Sequence, residues 1–294
     1  MVLIVSYVFV VLTILSMDLM ISQATSRITF QESSIANYHQ QWMIQFSRVY
    51  SDESEKQLRF EVFKKNLKFI ENFNNNGNHT YKLGVNEFTD WTKEEFLATH
   101  TGLSGINVTS HSEVVDETMP SLNWNVRNVV SESKDWTKEG AVTPVKSQGE
   151  CAQSGGISSE LAYPYNQVTK GSCRSKNKPV MMQIRGFKNV ASNDERALLE
   201  AVSRQPVSVC IAASADSFIH YAGGLYNAPD CGIYVIHAVT LVGYGTSPEG
   251  IKYWLAKNSW GQTWGENGYI RLRRDVEWPQ GMCGIAQFAS YPVV

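Results

Sequence analysis

The sequence predicts an α+β protein in which helices come first and strands follow. Three observations predict it. Apolar residues between positions 35 and 49 recur at helical spacing. A second helical stripe runs from Glu55 to Asn74. Beyond residue 206 the pattern switches to strands, alternating over 207–212 and then apolar over 236–245 and 253–257.

The first helix is expected from Ile35, Tyr38, Trp42, Phe46 and Val49, whose steps of 3, 4, 4 and 3 make one face. Ser51-Asp52 is a natural cap for the next helix. That helix carries Glu55, Arg59, Phe63, Asn66, Ile70 and Asn74 on one stripe, mixing charge, amide and aromatic groups. Such a stripe is either a solvated face with an i,i+4 pair between Glu55 and Arg59, or a packed face stitched by polar contacts. Asn74-Asn75-Asn76-Gly77 ends the helix, and 81–85 alternates like a short strand. Further on, Ser192-Asn193-Asp194-Glu195 outlines a capping box for a helix that stops at Pro206.

Composition narrows the function. The 294 residues are 43% hydrophobic and 18% charged, with 26 Lys plus Arg against 28 Asp plus Glu. That length suits about two domains of ~100–200 residues. The near-neutral balance, with no basic block, excludes a nucleic-acid binder held by phosphate contacts. No Cys-x-x-Cys or His-x-x-x-His spacing and no Gly-rich phosphate loop occurs, so neither a metal nor a cofactor is expected.

Val2 to Met17 is an apolar run broken only by Ser6, Tyr7, Thr13 and Ser16, and Asp18 ends it. It is shorter than the ~20 residues of a membrane-spanning helix, so no stable membrane span is expected. Ala24-Thr25-Ser26 supplies small residues for cleavage before Arg27, which makes residues 1–26 a signal peptide. The expected route is the secretory pathway, ending outside the cell, in a vacuole or in a lysosome. Asn78-His79-Thr80 and Asn107-Val108-Thr109 are glycosylation sequons consistent with that route. Five cysteines leave at least one thiol without a partner in the chain.

The stripe Glu55, Arg59, Phe63, Asn66, Ile70 and Asn74 resembles the long-helix motif of the papain/cathepsin propeptide. Gly84-x-Asn86-x-Phe88-x-Asp90 resembles that family's second propeptide motif. The resemblance implies an inhibitory propeptide over 27–100, which lays a segment backward along the enzyme cleft. Residues 101–134 would be a linker holding the activation region, and 135–294 a peptidase domain. The stretch from Asp135 to Cys151 resembles the start of the mature enzyme, and Gln148 matches its side-chain oxyanion donor. His237, Asn258 and Trp260 match the catalytic histidine, the amide that orients it and the indole that shields that contact. The resemblance also implies a Cys231–Cys283 disulfide. Cys210, on an alternating strand, reads as a buried free thiol.

The nucleophile departs from the pattern. The family signature is C-G-[SA]-C-[WY], and this chain reads Cys151-Ala152-Gln153-Ser154-Gly155. Ser154 stands in the register of the catalytic cysteine. From Ser154 to His237 is 83 residues and to Asn258 is 104, against about 130–150 in the family. The expected architecture is therefore a helical propeptide followed by a truncated papain-like domain. Its helical first subdomain is largely lost, and its antiparallel, β-barrel-like second subdomain is kept. Cys151 and Cys173 lose their family partners. The functional expectation is a papain-like cysteine endopeptidase by descent, made as a secretory zymogen for protein or peptide substrates and inactive in this form. Two alternatives stand beside it: a non-catalytic inhibitor that acts on related cysteine proteases through the propeptide, and a truncated product that does not fold stably.

Overall fold

A computed structural model describes residues 33–102, 130–145 and 185–293. They fall into two compact units divided between Lys68 and Phe69. Gln148, Cys151, Ser154, Cys173, Asn107, the 1–26 segment and positions 103–129 of the expected linker lie outside the described residues.

The first unit holds helix α1 (33–45) and most of α2 (Glu53–Asn75). The cap expected at Ser51-Asp52 is present: Asp52 accepts from the Glu55 N–H at 2.9 Å, and Glu55 accepts from the Ser51 N–H and hydroxyl at 2.8 Å. The stripe on α2 divides along its length. Its first turn is a partly buried ion pair, with Arg59 Nε 3.9 Å from Glu55, whereas Phe63 one turn later is fully buried. Around Phe63 pack Trp42 at 5.2 Å and His39 at 4.9 Å between ring centres. The expected apolar face of α1 breaks off early. Ser47 adopts a left-handed conformation (φ 51°) just past the helix, so Val49 leaves the face and is 91% exposed. His39, which the apolar spacing skips, takes the buried position instead. Burial, helped by Lys56, holds its pKa below the ordinary value.

The second unit begins within α2 and continues through β1 (Tyr81–Leu83), α3 (Lys93–His100), β2 (Lys134–Asp135), β3 (Gly186–Asn189), α4 (Glu195–Arg204) and β4 (Val207–Ile211). It is completed by α5 (Asp216–Ile219), β5 (Tyr221–Tyr226), β6 (His237–Thr246), β7 (Lys252–Lys257), β8 (Tyr269–Arg273) and β9 (Ala289–Val293). The strands run in one path, β1-β5-β8-β7-β6-β4-β9-β3, with β2 beside β6. Every pairing is antiparallel except β5 with β8. Leu198 and Val202 of α4 and Val207, Val209 and Ile211 of β4 are buried in one core with Leu241 and Trp254. Asp194 caps α4 by accepting from Arg196 and Ala197 N–H at 2.9 Å. The third helical position is Ala197, so the outlined box is a one-sided aspartate cap. Glu195 instead accepts from Trp254 Nε1 at 2.8 Å and the Asp275 N–H at 2.9 Å.

The N-terminal segment is sewn onto the sheet within this unit. Asn74 donates to the Leu83 carbonyl at 2.8 Å and accepts from its N–H at 3.0 Å, joining the end of α2 to β1. Strand β1 pairs with β5, and Gly224 makes that approach feasible: its φ is +94°, and a Cβ there would sit 2.6 Å from the Thr80 oxygen. The Gly84 N–H donates to the His220 carbonyl at 2.9 Å. Asn86 donates from Nδ2 to the Ile219 carbonyl at 2.8 Å and accepts from the Phe88 N–H at 2.9 Å. Cys231 and Cys283 are bridged, with Cα atoms 5.3 Å apart. Cys210 is free but half-buried, more open than its strand pattern suggests, and burial pushes its thiol pKa up. Among the described residues no helix is long and apolar enough to cross a membrane.

Candidate active site

Two neighbouring strands deliver the central pair. His237 is the first residue of β6, and Asn258 directly follows β7. The β6·β7 ladder joins Thr240 to Lys257, which brings the two side chains to the same end of the sheet. His237 Nε2 lies 2.8 Å from Asn258 Oδ1. That oxygen also accepts from the Ser259 N–H at 2.8 Å, and the Asn258 N–H donates to the Gly268 carbonyl at 2.9 Å. An oxygen fixed by one N–H can only accept, so Nε2 carries the hydrogen and Nδ1 holds the lone pair. The pair therefore sets the imidazole tautomer.

Trp260 roofs this contact. Its ring lies 4.7 Å from the His237 ring at an interplanar angle of 28°. Trp264 and Phe218 meet Trp260 edge-on at 5.1 and 5.7 Å, and Trp264 Nε1 is tied to the Ile219 carbonyl at 3.0 Å. His237 is 2% exposed and Trp260 1%. Asn258 Nδ2 and Trp260 Nε1 are buried donors without a hydrogen-bond partner among the described residues.

The N-terminal segment covers the same place. Phe96 of α3 meets Trp260 edge-on at 4.8 Å, Phe88 does so at 6.2 Å, and His100 stacks parallel on Phe96 at 5.0 Å. Burial pushes the His237 pKa down to about 4; the Asn258 hydrogen bond opposes the shift and His100 adds to it. The imidazole is thus a neutral base with a defined tautomer, sealed from solvent.

Of the residues expected to act together, His237, Asn258 and Trp260 meet, while Gln148 and Ser154 fall outside the described residues. Cys210 does not stand in for the nucleophile. Ile211 pairs with His237 across the β4·β6 ladder and Cys210 with Ala238. Successive side chains of a strand point to opposite faces, so the thiol lies on the face away from the imidazole. Its raised pKa also disfavours the thiolate. Among the described residues no cluster of His, Cys, Asp and Glu is arranged to hold a metal. Phe96 and His100 escape the sequence reading; their signal is only an i,i+4 spacing on a short helix.

Residues 152–293 match the papain family of cysteine proteases, and residues 39–96 match the cathepsin propeptide inhibitor domain. The senescence-specific cysteine protease SAG39 of Oryza sativa subsp. indica is 35% identical over 316 residues, spanning 89% of this chain and 91% of the rice protein. Fruit bromelain of Ananas comosus is 34% identical over 310 residues, spanning 87% and 85%. The solved structure of a recombinant stem bromelain precursor superposes with a TM-score of 0.75 at 34% identity, covering 89% of this chain and 99% of that one.

Proposed function

The chain belongs to the papain family of cysteine proteases and carries that family's propeptide, and from that premise we propose that this form is a zymogen-like protein without peptidase activity of its own. The carrying observation is the register at Cys151-Ala152-Gln153-Ser154, where serine stands in place of the nucleophile only 83 residues before His237. The rice alignment supports a deletion. It runs over 316 positions, more than the whole 294-residue chain, while drawing on only 89% of that chain.

The remaining parts keep their chemical roles. His237 Nδ1 is the proton acceptor, Asn258 holds its tautomer, and Trp260 excludes water from that bond; the family resemblance assigns Gln148 as the donor to a developing oxyanion. What is lost is a thiol for the base to act on. A serine hydroxyl has neither the low pKa nor the intrinsic nucleophilicity of a thiolate. Loss of a main nucleophile typically removes ~10⁶ in rate. We assign residues 1–26 to a leader, 27–100 to the propeptide, 101–134 to the linker and 135–294 to the truncated domain. The route is secretory, for which the Cys231–Cys283 bridge suits an oxidising compartment.

The test is hydrolysis of a fluorogenic peptide after acid treatment, with the chain compared to His237→Ala. Equal background rates are expected, and a parent rate clearly above the variant overturns the proposal. Sequencing the transcript across codons 145–165 checks the deletion itself: a C-G-x-C-W reading there restores the enzyme.

A second reading has its own support, namely the match of residues 39–96 to an inhibitor domain and the cover that Phe88 and Phe96 lay on Trp260. The same surface offered to an intact relative makes the chain an inhibitor. Incubating a working papain-family protease with the full chain, or its 27–110 fragment, tests this, and no inhibition at micromolar concentration rejects it.

A further inference from the structure

We infer that Asn78 is an N-glycosylation site and that its glycan is attached before the segment docks on the sheet. Asn74, Asn78 and Asn86, which flank β1, are used in different ways. Asn74 and Asn86 spend their amides on backbone groups of Leu83, Ile219 and Phe88. Asn78 is exposed, and its amide makes no hydrogen bond among the described residues. Its neighbours are pinned on either side. Gly77, at φ +137°, turns the chain out of α2, and the His79 ring lies flat on Phe73 at 3.9 Å and 13°. The side chain at 78 is therefore directed into solvent from a fixed turn, and a sugar there displaces nothing.

The third residue of the sequon sets the order of events. Thr80 donates its hydroxyl to the Leu225 carbonyl at 2.6 Å, and its own carbonyl accepts from the Leu225 N–H at 2.7 Å. In the folded chain Thr80 is thus held against β5, so close to Gly224 that an added Cβ there would sit 2.6 Å from the Thr80 carbonyl oxygen. A transferase that must bind an extended Asn-x-Thr with a free hydroxyl finds one only before this docking. In the transfer, Asn78 Nδ2 bonds to C1 of the terminal N-acetylglucosamine of a lipid-linked oligosaccharide. The C1–oxygen bond to the lipid diphosphate breaks, the diphosphate leaves, and the amide proton passes to a base of the transferase.

The inference rests on the secretory route, and the experiment separates the two. The full chain is expressed in an N-glycosylating eukaryotic cell with its own leader, and again with residues 1–26 replaced by a proven signal peptide. Occupancy is read in lysate and medium by peptide:N-glycanase treatment and mass spectrometry of the Asn78 peptide, so a retained, misfolded chain still reports. An occupied Asn78, lost in Asn78→Gln and Thr80→Val but kept in Thr80→Ser, is the expected result. An occupied site only with the replaced leader supports the site and rejects the native route. An unmodified Asn78 in the replaced-leader chain overturns the site. For the order of events, bacterial chain is offered to microsomal transferase folded and unfolded: modification of the unfolded form alone is expected, and equal modification of both overturns the order.

Discussion

Acidification should loosen this protein through buried imidazoles, and His220 is the one that can be removed cleanly. It is 3% exposed, its ring lies 6.4 Å from that of Phe69, and its Nδ1 has no hydrogen-bond partner among the described residues. Burial alone pushes its pKa down to about 4 from an ordinary 6.5. The sign follows from which state takes the proton first. As pH falls below 6.5 the unfolded chain binds a proton that the folded chain refuses, so stability is full above 6.5 and is lost toward 4. With those two values the loss is about 2 kcal/mol at pH 5 and about 3 kcal/mol at pH 4. His237, pushed down to about 4 as well, doubles the figure to about 4 kcal/mol at pH 5, a large share of the ~5–15 kcal/mol typical of a folded protein. The assay is urea unfolding at pH 7 and pH 5, followed by the fluorescence of the eight tryptophans. His220→Leu, similar in volume and able to lose the unpaired nitrogen, should fold nearly as well at pH 7 and recover about 2 kcal/mol of the acid loss. Contributions from other groups, such as Glu195, whose pKa burial raises, are shared by parent and variant and cancel in the difference. An acid loss of the same size in both proteins would show that His220 does not carry it.

Asn86→Ala removes one of two donors to the Ile219 carbonyl, which keeps Trp264 Nε1, and leaves the Phe88 N–H unpaired in a buried site, at about 1–3 kcal/mol. Limited proteolysis should then cut within residues 84–100 well before it cuts the parent; equal protection in both counts against the role given to Asn86. Gly224→Ala puts a methyl 2.6 Å from the Thr80 oxygen at a left-handed φ, with the conformation alone costing about 1–3 kcal/mol. Hydrogen exchange at the Leu225 amide, which donates to Thr80, should accelerate, and retained protection would show that β1 can shift without leaving β5. Reducing the Cys231–Cys283 bridge opens a 52-residue separation and should lower stability by about 4 kcal/mol. Urea midpoints measured with and without reductant read this directly, and coincident curves would contradict it.

What spacing alone could carry is visible in α2 and in the two strands of the site. Glu55, Phe63, Ile70 and Asn74 recur with the helix, and each has a role that its position on the stripe allows. The strands that carry His237 and Asn258 were legible as apolar runs, whereas the roles of the two residues came from the resemblance to the papain family. Val49 failed the same logic, since helical phase extends only as far as the helix, and Ser47 ends it sooner than apolar spacing suggests. His39 and His220 were missed for a related reason: a histidine looks polar in a pattern but packs as an aromatic ring once neighbouring rings exclude water.

The order of helices and strands, including the two strands that carry His237 and Asn258, was legible from the sequence because each pattern is local in the chain. The tertiary structure decided which tautomer His237 holds, why it stays neutral, and that Phe96 from one end of the chain closes over Trp260 from the other. Those are consequences of burial and of contacts between distant residues, and no periodicity encodes a contact between residues 96 and 260 until the sheet has brought them within 4.8 Å.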